Sequence, residues 1–172
     1  MVELITDRTQ YHVTLLNRLR KKPWGSMTGS ERTIWYGEAA KGAYNYTDLN
    51  RVESAVEELA GMLGLTLTTK TDWGLWDVPI QTDMERYLSN VVAIRDACPE
   101  DVEFPTLPDS MSGLNYEGAN NIEKVLLLVY EVVSHKCILG EFILGECALG
   151  GTIPQNTDST IRSGDIYCGE VV

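Results

Sequence analysis

The chain has 172 residues, of which 44% are hydrophobic and 23% charged, and its 25 Asp and Glu outnumber 14 Lys and Arg to give a formal net charge of -11. That length is enough to bury a core and that composition is too apolar for wholesale disorder, while the negative balance repels a phosphate backbone and excludes nucleic acid as a natural partner. No apolar window approaches the ~18 residues of a membrane span, and no basic start leads into an apolar run, so we expect a soluble chain made in the cytoplasm, without membrane insertion.

In chain order, Asp7 to Lys22 carries Tyr11, Leu15 and Leu19 at intervals of four, with Leu16 widening the stripe, as in an amphipathic helix. Its basic end, "RLRKK", complements the helix dipole, and Pro23 terminates it. Thr28 and Glu31 form a capping-box pattern that opens a second helix through Ile34, Trp35 and Ala39, with Gly42 closing it. From Thr47 to Leu63, Leu49, Val52, Val56, Leu59 and Leu63 share one helical face, and Gly64 stops the helix. "LTLTT", residues 65 to 69, reads as a short strand or an extended connector, and "KTDWGLWDVP" as an ordered loop. Thr82 and Glu85 repeat the capping-box pattern before a helix on which Met84, Tyr87, Leu88, Val91 and Ile94 align, ending near Cys98 because Pro99 follows. After the irregular residues 99 to 113, a last helix is expected from about Glu117 to Ser134. Its segment "VLLLVYEVV" is apolar nearly all round, which places it at the centre of a core or under a partner.

One phrase is written twice. "NYTDLNRVE", residues 45 to 53, returns as "NYEGANNIE", residues 115 to 123, with Asn, Tyr, Asn and Glu in matching places. The helix starts "TDLNRV" at 47, "TDMERY" at 82 and "EGANNI" at 117 are spaced by 35 residues, a candidate internal repeat. Asn50 with Glu53, and Asn120 with Glu123, lie on adjacent turns of one face. They read either as two halves of a ligand site or as helix-start chemistry with lateral hydrogen bonds, and the structural reading is preferred.

Past His135 the texture changes. "CILGEFILGECALGG", residues 137 to 151, sets Leu139, Leu144 and Leu149 five apart, each followed by glycine, and the chain closes on "IYCGEVV". A strand buried on both sides, a bulged strand or a short β-helical coil would fit. The fold class expected is therefore mainly α: a bundle of about four to five helices with repeated starts over residues 1–135, and a β-rich segment over 136–172 that docks on the body or on a neighbouring subunit.

Candidate chemistry is sparse. His135, Cys137, Cys147 and Cys168 supply a zinc-compatible donor set, but at spacings that match no common zinc module. With Cys98, the cysteines lack C-x-x-C spacing and should be reduced thiols. There is no nucleophile elbow and no glycine-rich phosphate loop. We assign no catalytic, cofactor-binding or metal-ligating residue and expect no enzyme. In "DWGLWD", Trp73 and Trp76 stand between two acids, an arrangement that would stack a sugar or simply pin the loop to the helices.

The segments "KGAYNYTDLNRVESAVEELA", "TKTDWGLWDVPIQTDMERYLSNV", "LPDSMSGLNYEGANNIEKVLL" and "GDIYCGEVV" together resemble a protein family from the tail modules of bacteriophages and prophages of Gram-positive bacteria. The likeness covers roughly residues 6 to 134, with a weaker echo at the end. It implies a virion structural protein of the tail, baseplate or tail fibre, located in the virion after assembly in the host cytoplasm. The partners it implies are further copies of the chain, as a homo-oligomer, and other tail or baseplate proteins. A cell-wall carbohydrate-binding adaptor using Trp73 and Trp76 is the alternative.

Overall fold

The structure, a computed structural model, describes residues 2–36, 40–99 and 102–138, without the side chains of residues 36 and 135–138. Among these residues it has five α-helices and no strand: α1 Gln10–Arg20, α2 Gly29–Tyr36, α3 Tyr46–Met62, α4 Gln81–Asp96 and α5 Tyr116–Ile138, with a 3-10 turn at Trp24–Ser26. The mainly helical expectation holds. Residues 136–138 continue α5, and the expected β segment from 139 onward lies outside the described residues.

Helix starts are set by side chains that take up amide hydrogens left unpartnered in a first turn. Asn45 Oδ1 accepts from the Thr47 amide at 2.8 Å while Asp48 Oδ2 accepts from the Asn45 amide at 2.9 Å. At α5, Asn115 Oδ1 accepts from the Gly118 amide at 2.8 Å. Thr28 and Glu31 close the expected box at α2: the Thr28 amide donates to Glu31 at 2.8 Å and the Glu31 amide to Thr28 Oγ1 at 3.3 Å. The Thr82–Glu85 pair behaves differently. α4 begins at Gln81, which puts Asp83 where its carboxylate reaches back to the Ile80 amide at 3.1 Å, and Glu85 instead accepts from Gln81 at 2.7 Å.

α3, α4 and α5 pack on one another, and α1 packs on α2. The body core is built from Val52, Val56 and Leu59 of α3, Tyr87, Val91 and Ile94 of α4, and Ile122, Val125, Leu126 and Val129 of α5, all buried. Each such side chain contributes on the order of 1.5–3 kcal/mol of burial free energy. α5 lies against both other helices, which accounts for its apolar circumference.

Gly64 ends α3 in the left-handed region (φ +68°), and the Leu65 amide returns to the Ala60 carbonyl at 2.8 Å. "LTLTT" is then the extended connector: Leu65 and Leu67 pack against the core, and the Thr68 carbonyl accepts from Asn90 and Arg86, each at 2.8 Å. Gly42 is not a helix stop. It marks a close crossing over α1, where an added Cβ would lie 2.2 Å from the His12 carbonyl oxygen.

Candidate functional site

The repeated Asn and Glu are the two halves of a fastener, and the structure contains it twice. On α3, Asn50 Oδ1 accepts from the Trp73 amide at 2.7 Å and Asn50 Nδ2 donates to the Trp73 carbonyl at 2.9 Å. One turn on, Glu53 Oε2 accepts from the Lys70 amide at 3.1 Å. On α5, Asn120 Oδ1 accepts from the Arg8 amide at 3.0 Å and Asn120 Nδ2 donates to the Arg8 carbonyl at 2.8 Å. Glu123 Oε2 accepts from the Ile5 amide at 2.6 Å. Each Asn-x-x-Glu pair thus grips an extended tetrapeptide by its first and fourth residues, Lys70–Trp73 in one case and Ile5–Arg8 in the other.

The gripped tetrapeptides are "KTDW" and "ITDR", which share a central Thr-Asp. The dipeptide also stands at 47–48, 82–83 and 157–158, so it does not by itself mark a gripped segment. Of the two readings of the repeated Asn and Glu, lateral hydrogen bonding holds, but its targets are the backbones of segments distant in the chain.

The glutamates are also joined to arginines 35 residues apart. Arg86 of α4 meets Glu53 as a fork, Nη1 to Oε2 at 2.9 Å and Nη2 to Oε1 at 2.7 Å. Arg51 of α3 meets Glu123 in the same manner, Nε to Oε2 at 2.9 Å and Nη2 to Oε1 at 2.8 Å. The third pair that the repeat would place between α5 and α4 is missing on both sides at once, because position 121 is Asn and position 88 is Leu.

Around Glu123 the ion pairs merge into a buried cluster. Arg8 Nη2 donates to Glu123 Oε1 at 2.6 Å and to Asp48 Oδ1 at 2.7 Å, and Arg51 also pairs with Asp48. Two cations face two carboxylates, so the cluster is formally neutral. Glu123 is fully buried, and its two oxygens take donors from Ile5, Arg8 and Arg51, which fills its acceptor capacity. Burial works against the Arg51 charge, but Glu123 and Asp48 more than offset it and raise its pKa further.

Beside this cluster the hydroxyls of Tyr44 and Tyr87 share a short hydrogen bond, and the Arg8 guanidinium lies 5.5 Å from the Tyr44 ring centroid. Burial pushes both phenols well above the ordinary tyrosine range, and the nearby Glu123 and Asp48 carboxylates add to it. Tyr87 was expected on the apolar face of its helix, but its meeting with Arg8, Tyr44, Asp48 and Arg51 was not, since that convergence depends on chain crossings that no local pattern encodes.

The tryptophan loop divides its two rings. Trp73 is 4% exposed and belongs to the core, with the Lys70 ammonium 3.9 Å from its ring centroid, whereas Trp76 is 90% exposed. Trp73 is therefore unavailable for stacking a sugar. Asp77 folds the loop by accepting from the Gly74 amide at 2.9 Å, which together with Lys70 holds its carboxyl below the usual range. Leu75, Val78 and Ile80 stand exposed with Trp76. Through Leu75 and Ile80 this rim borders an open groove of about 1650 Å³, whose lining also includes Leu16, Trp35, Met84 and Leu88.

Of the zinc-compatible set, the side chains of His135 and Cys137, and residues Cys147 and Cys168, lie outside the described residues. Among the described residues no three His, Cys, Asp or Glu gather to hold a metal, and no helix is long and apolar enough to cross a membrane. No protein-family model, curated protein or solved structure matches the chain.

Proposed function

We propose that this chain is a virion structural subunit of a bacteriophage or prophage tail, baseplate or fibre, acting by fitting against its neighbours. The observation that carries the reading is the exposed run Leu75, Trp76, Val78 and Ile80, held up by a loop whose root, Trp73, is locked into the core. An apolar rim on a rigid root beside a groove is suited to protein contact, because little loop entropy is lost when it is covered. The carboxylates and carboxamides that converge inside the body are meanwhile consumed by arginines and by the backbone, while Arg8 Nε and Trp73 Nε1 are buried without a hydrogen-bond partner among the described residues. The resemblance of residues 6 to 134 to tail-module proteins supplies the setting.

The test is association. The purified chain should form higher-order species or co-purify with tail particles, and Trp76→Asp should reduce that association at least tenfold while leaving the melting temperature in place. A chain that stays single at all concentrations and is missing from particles would refute the assembly role.

The exposed Trp76 ring favours one second reading, a carbohydrate-binding adaptor for cell-wall fragments. Quenching of Trp76 fluorescence by such fragments, abolished in Trp76→Ala, would support it. A flat titration would dismiss it.

A further inference from the structure

The repeat has a third copy in α4. Counting 35 residues on from Asn50 and Glu53 gives Glu85 and Leu88, and 35 more gives Asn120 and Glu123. On α3 and α5 these two positions hold an extended segment of backbone. On α4 they line the open groove, together with Gln81, Met84 and Val92. Among the described residues no backbone amide donates to Glu85, whose Oε1 accepts from the Gln81 side chain at 2.7 Å.

The sequence further on accounts for the difference. The α3 fastener takes its segment from later in the chain, Lys70 lying 17 residues after Glu53 and Trp73 lying 23 after Asn50. At the same offsets from Leu88 and Glu85 stand Pro105 and Pro108. Proline has no amide hydrogen, so neither donor contact can be repeated. The segment lies against α5 instead: the Thr106 carbonyl accepts from Asn121 at 2.9 Å, Pro108 neighbours Gly118, and Leu107 enters the core.

In place of Asn and Glu, α4 offers the groove a carboxylate and an apolar side chain. Among the described residues that line it, Asp77, Glu85 and Asp109 are acidic and only Arg20 is basic. At about 1650 Å³ the groove exceeds the roughly 300–1,000 Å³ of a small-molecule pocket. A second copy of the chain, at net charge -11, would bring like charge to it. An extended peptide suits it better, because alternate side chains point to opposite sides and can meet apolar and acidic lining in turn.

We propose that the α4 face of the groove is the third gripping position, taken by an extended segment of a partner protein in which apolar residues alternate with basic ones. Apolar side chains of that segment cover Met84, Leu88 and Val92, and its cations and an amide are received by Glu85 and its acidic neighbours. The inference rests on the assembly reading for the source of the segment, a neighbouring protein in the particle.

The probe is a capped octapeptide of alternating leucine and lysine, titrated into the full chain while the methyl resonances of Met84 and Leu88 are followed by NMR. Those methyls should shift saturably. Glu85→Lys should weaken binding at least tenfold, whereas Glu57→Lys, an equal charge change at an exposed site outside the groove lining, should alter it less than twofold. Replacing the lysines of the peptide by glutamate should abolish binding, and methylating its backbone nitrogens should weaken it at least tenfold, a change that attraction by net charge alone would survive. Methyls that do not respond, or equal weakening by Glu85→Lys and Glu57→Lys, overturn the proposal. Methyl shifts that follow the concentration of the chain itself put a second copy in the groove and overturn it too. A chain that associates with tail particles yet ignores the peptide overturns the groove assignment and leaves the assembly role standing. One that binds the peptide but never associates supports the groove and refutes the assembly role.

Discussion

Asn120 holds Arg8 across 112 residues with both halves of its carboxamide, accepting from the amide at 3.0 Å and donating to the carbonyl at 2.8 Å. Asn50 does the same to Trp73. Two hydrogen bonds are lost in Asn120→Ala or Asn50→Ala, and at about 1 kcal/mol each with some penalty for the stranded backbone, each variant should lose about 2–3 kcal/mol. Asn120→Asp should not rescue, since it puts a carboxylate against the Arg8 carbonyl. Urea unfolding measures all three.

Glu123 is fully buried and bonded to two arginines, whereas Glu53 meets an Arg86 whose side chain is 24% exposed. Removing one partner of a buried ion pair leaves an uncompensated charge and costs about 3–5 kcal/mol. Glu123→Ala should fall in that range. Glu53→Ala should cost less, because water can reach its arginine. Equal losses in the two variants would contradict this ranking.

Tyr44 and Tyr87 set an alkaline limit. Burial raises the pKa of both phenols in the folded chain above the ordinary value of about 10, so their contribution to stability is complete below that pH. It is lost as pH rises, because the unfolded chain releases protons that the folded one retains. Absorbance at 295 nm should show these two tyrosines ionising only together with the loss of helical circular dichroism. Tyr87→Phe removes one of the two groups that ionise on unfolding, so its stability, lower at neutral pH for the lost hydroxyl partner, should fall less steeply above about pH 10 than that of the wild-type chain.

At low pH the Lys22–Glu31 contact acts in the opposite sense. The bond from Lys22, aided by the Thr28 amide, lowers the Glu31 pKa from 4.5 to about 2. Its stabilisation is present above the unfolded value and fades as pH falls through the window between them. An NMR titration of the Glu31 carboxyl should show the depressed midpoint, and Lys22→Met should move it back toward the ordinary range.

The two loop tryptophans should separate cleanly. Trp73→Ala empties a core site and should cost about 3–5 kcal/mol. Trp76→Ala touches a ring that is 90% exposed and should leave stability within about 0.5 kcal/mol.

Much of the helical body was legible because its signals are local. The stripe Leu49, Val52, Val56 and Leu59, the Gly64 stop and the apolar girth of α5 each state a helix and its buried face within a few residues. Boundaries moved where two capping solutions compete within one turn, as at α4, where Asp83 prevails over Thr82. The duplicated Asn and Glu were visible as a repeat, yet their work was not, because their partners Arg8, Lys70 and Trp73 sit in segments without periodicity. The Thr-Asp shared by "ITDR" and "KTDW" does not mark them either, since the same dipeptide stands at 47–48, 82–83 and 157–158. Gly42 was misread as a helix stop because the sequence does not show that the chain passes over the His12 carbonyl there.

Amide hydrogen exchange tests the paired fasteners most directly. Ile5, Arg8, Lys70 and Trp73 lie in extended segments without helix or strand, yet each amide donates to a side chain of a body helix. These four amides should be protected to nearly the level of the α3 and α5 core and lose protection together in Asn120→Ala or Asn50→Ala, each variant affecting its own pair. Exchange at the rate of an unstructured peptide in the wild-type chain would contradict it.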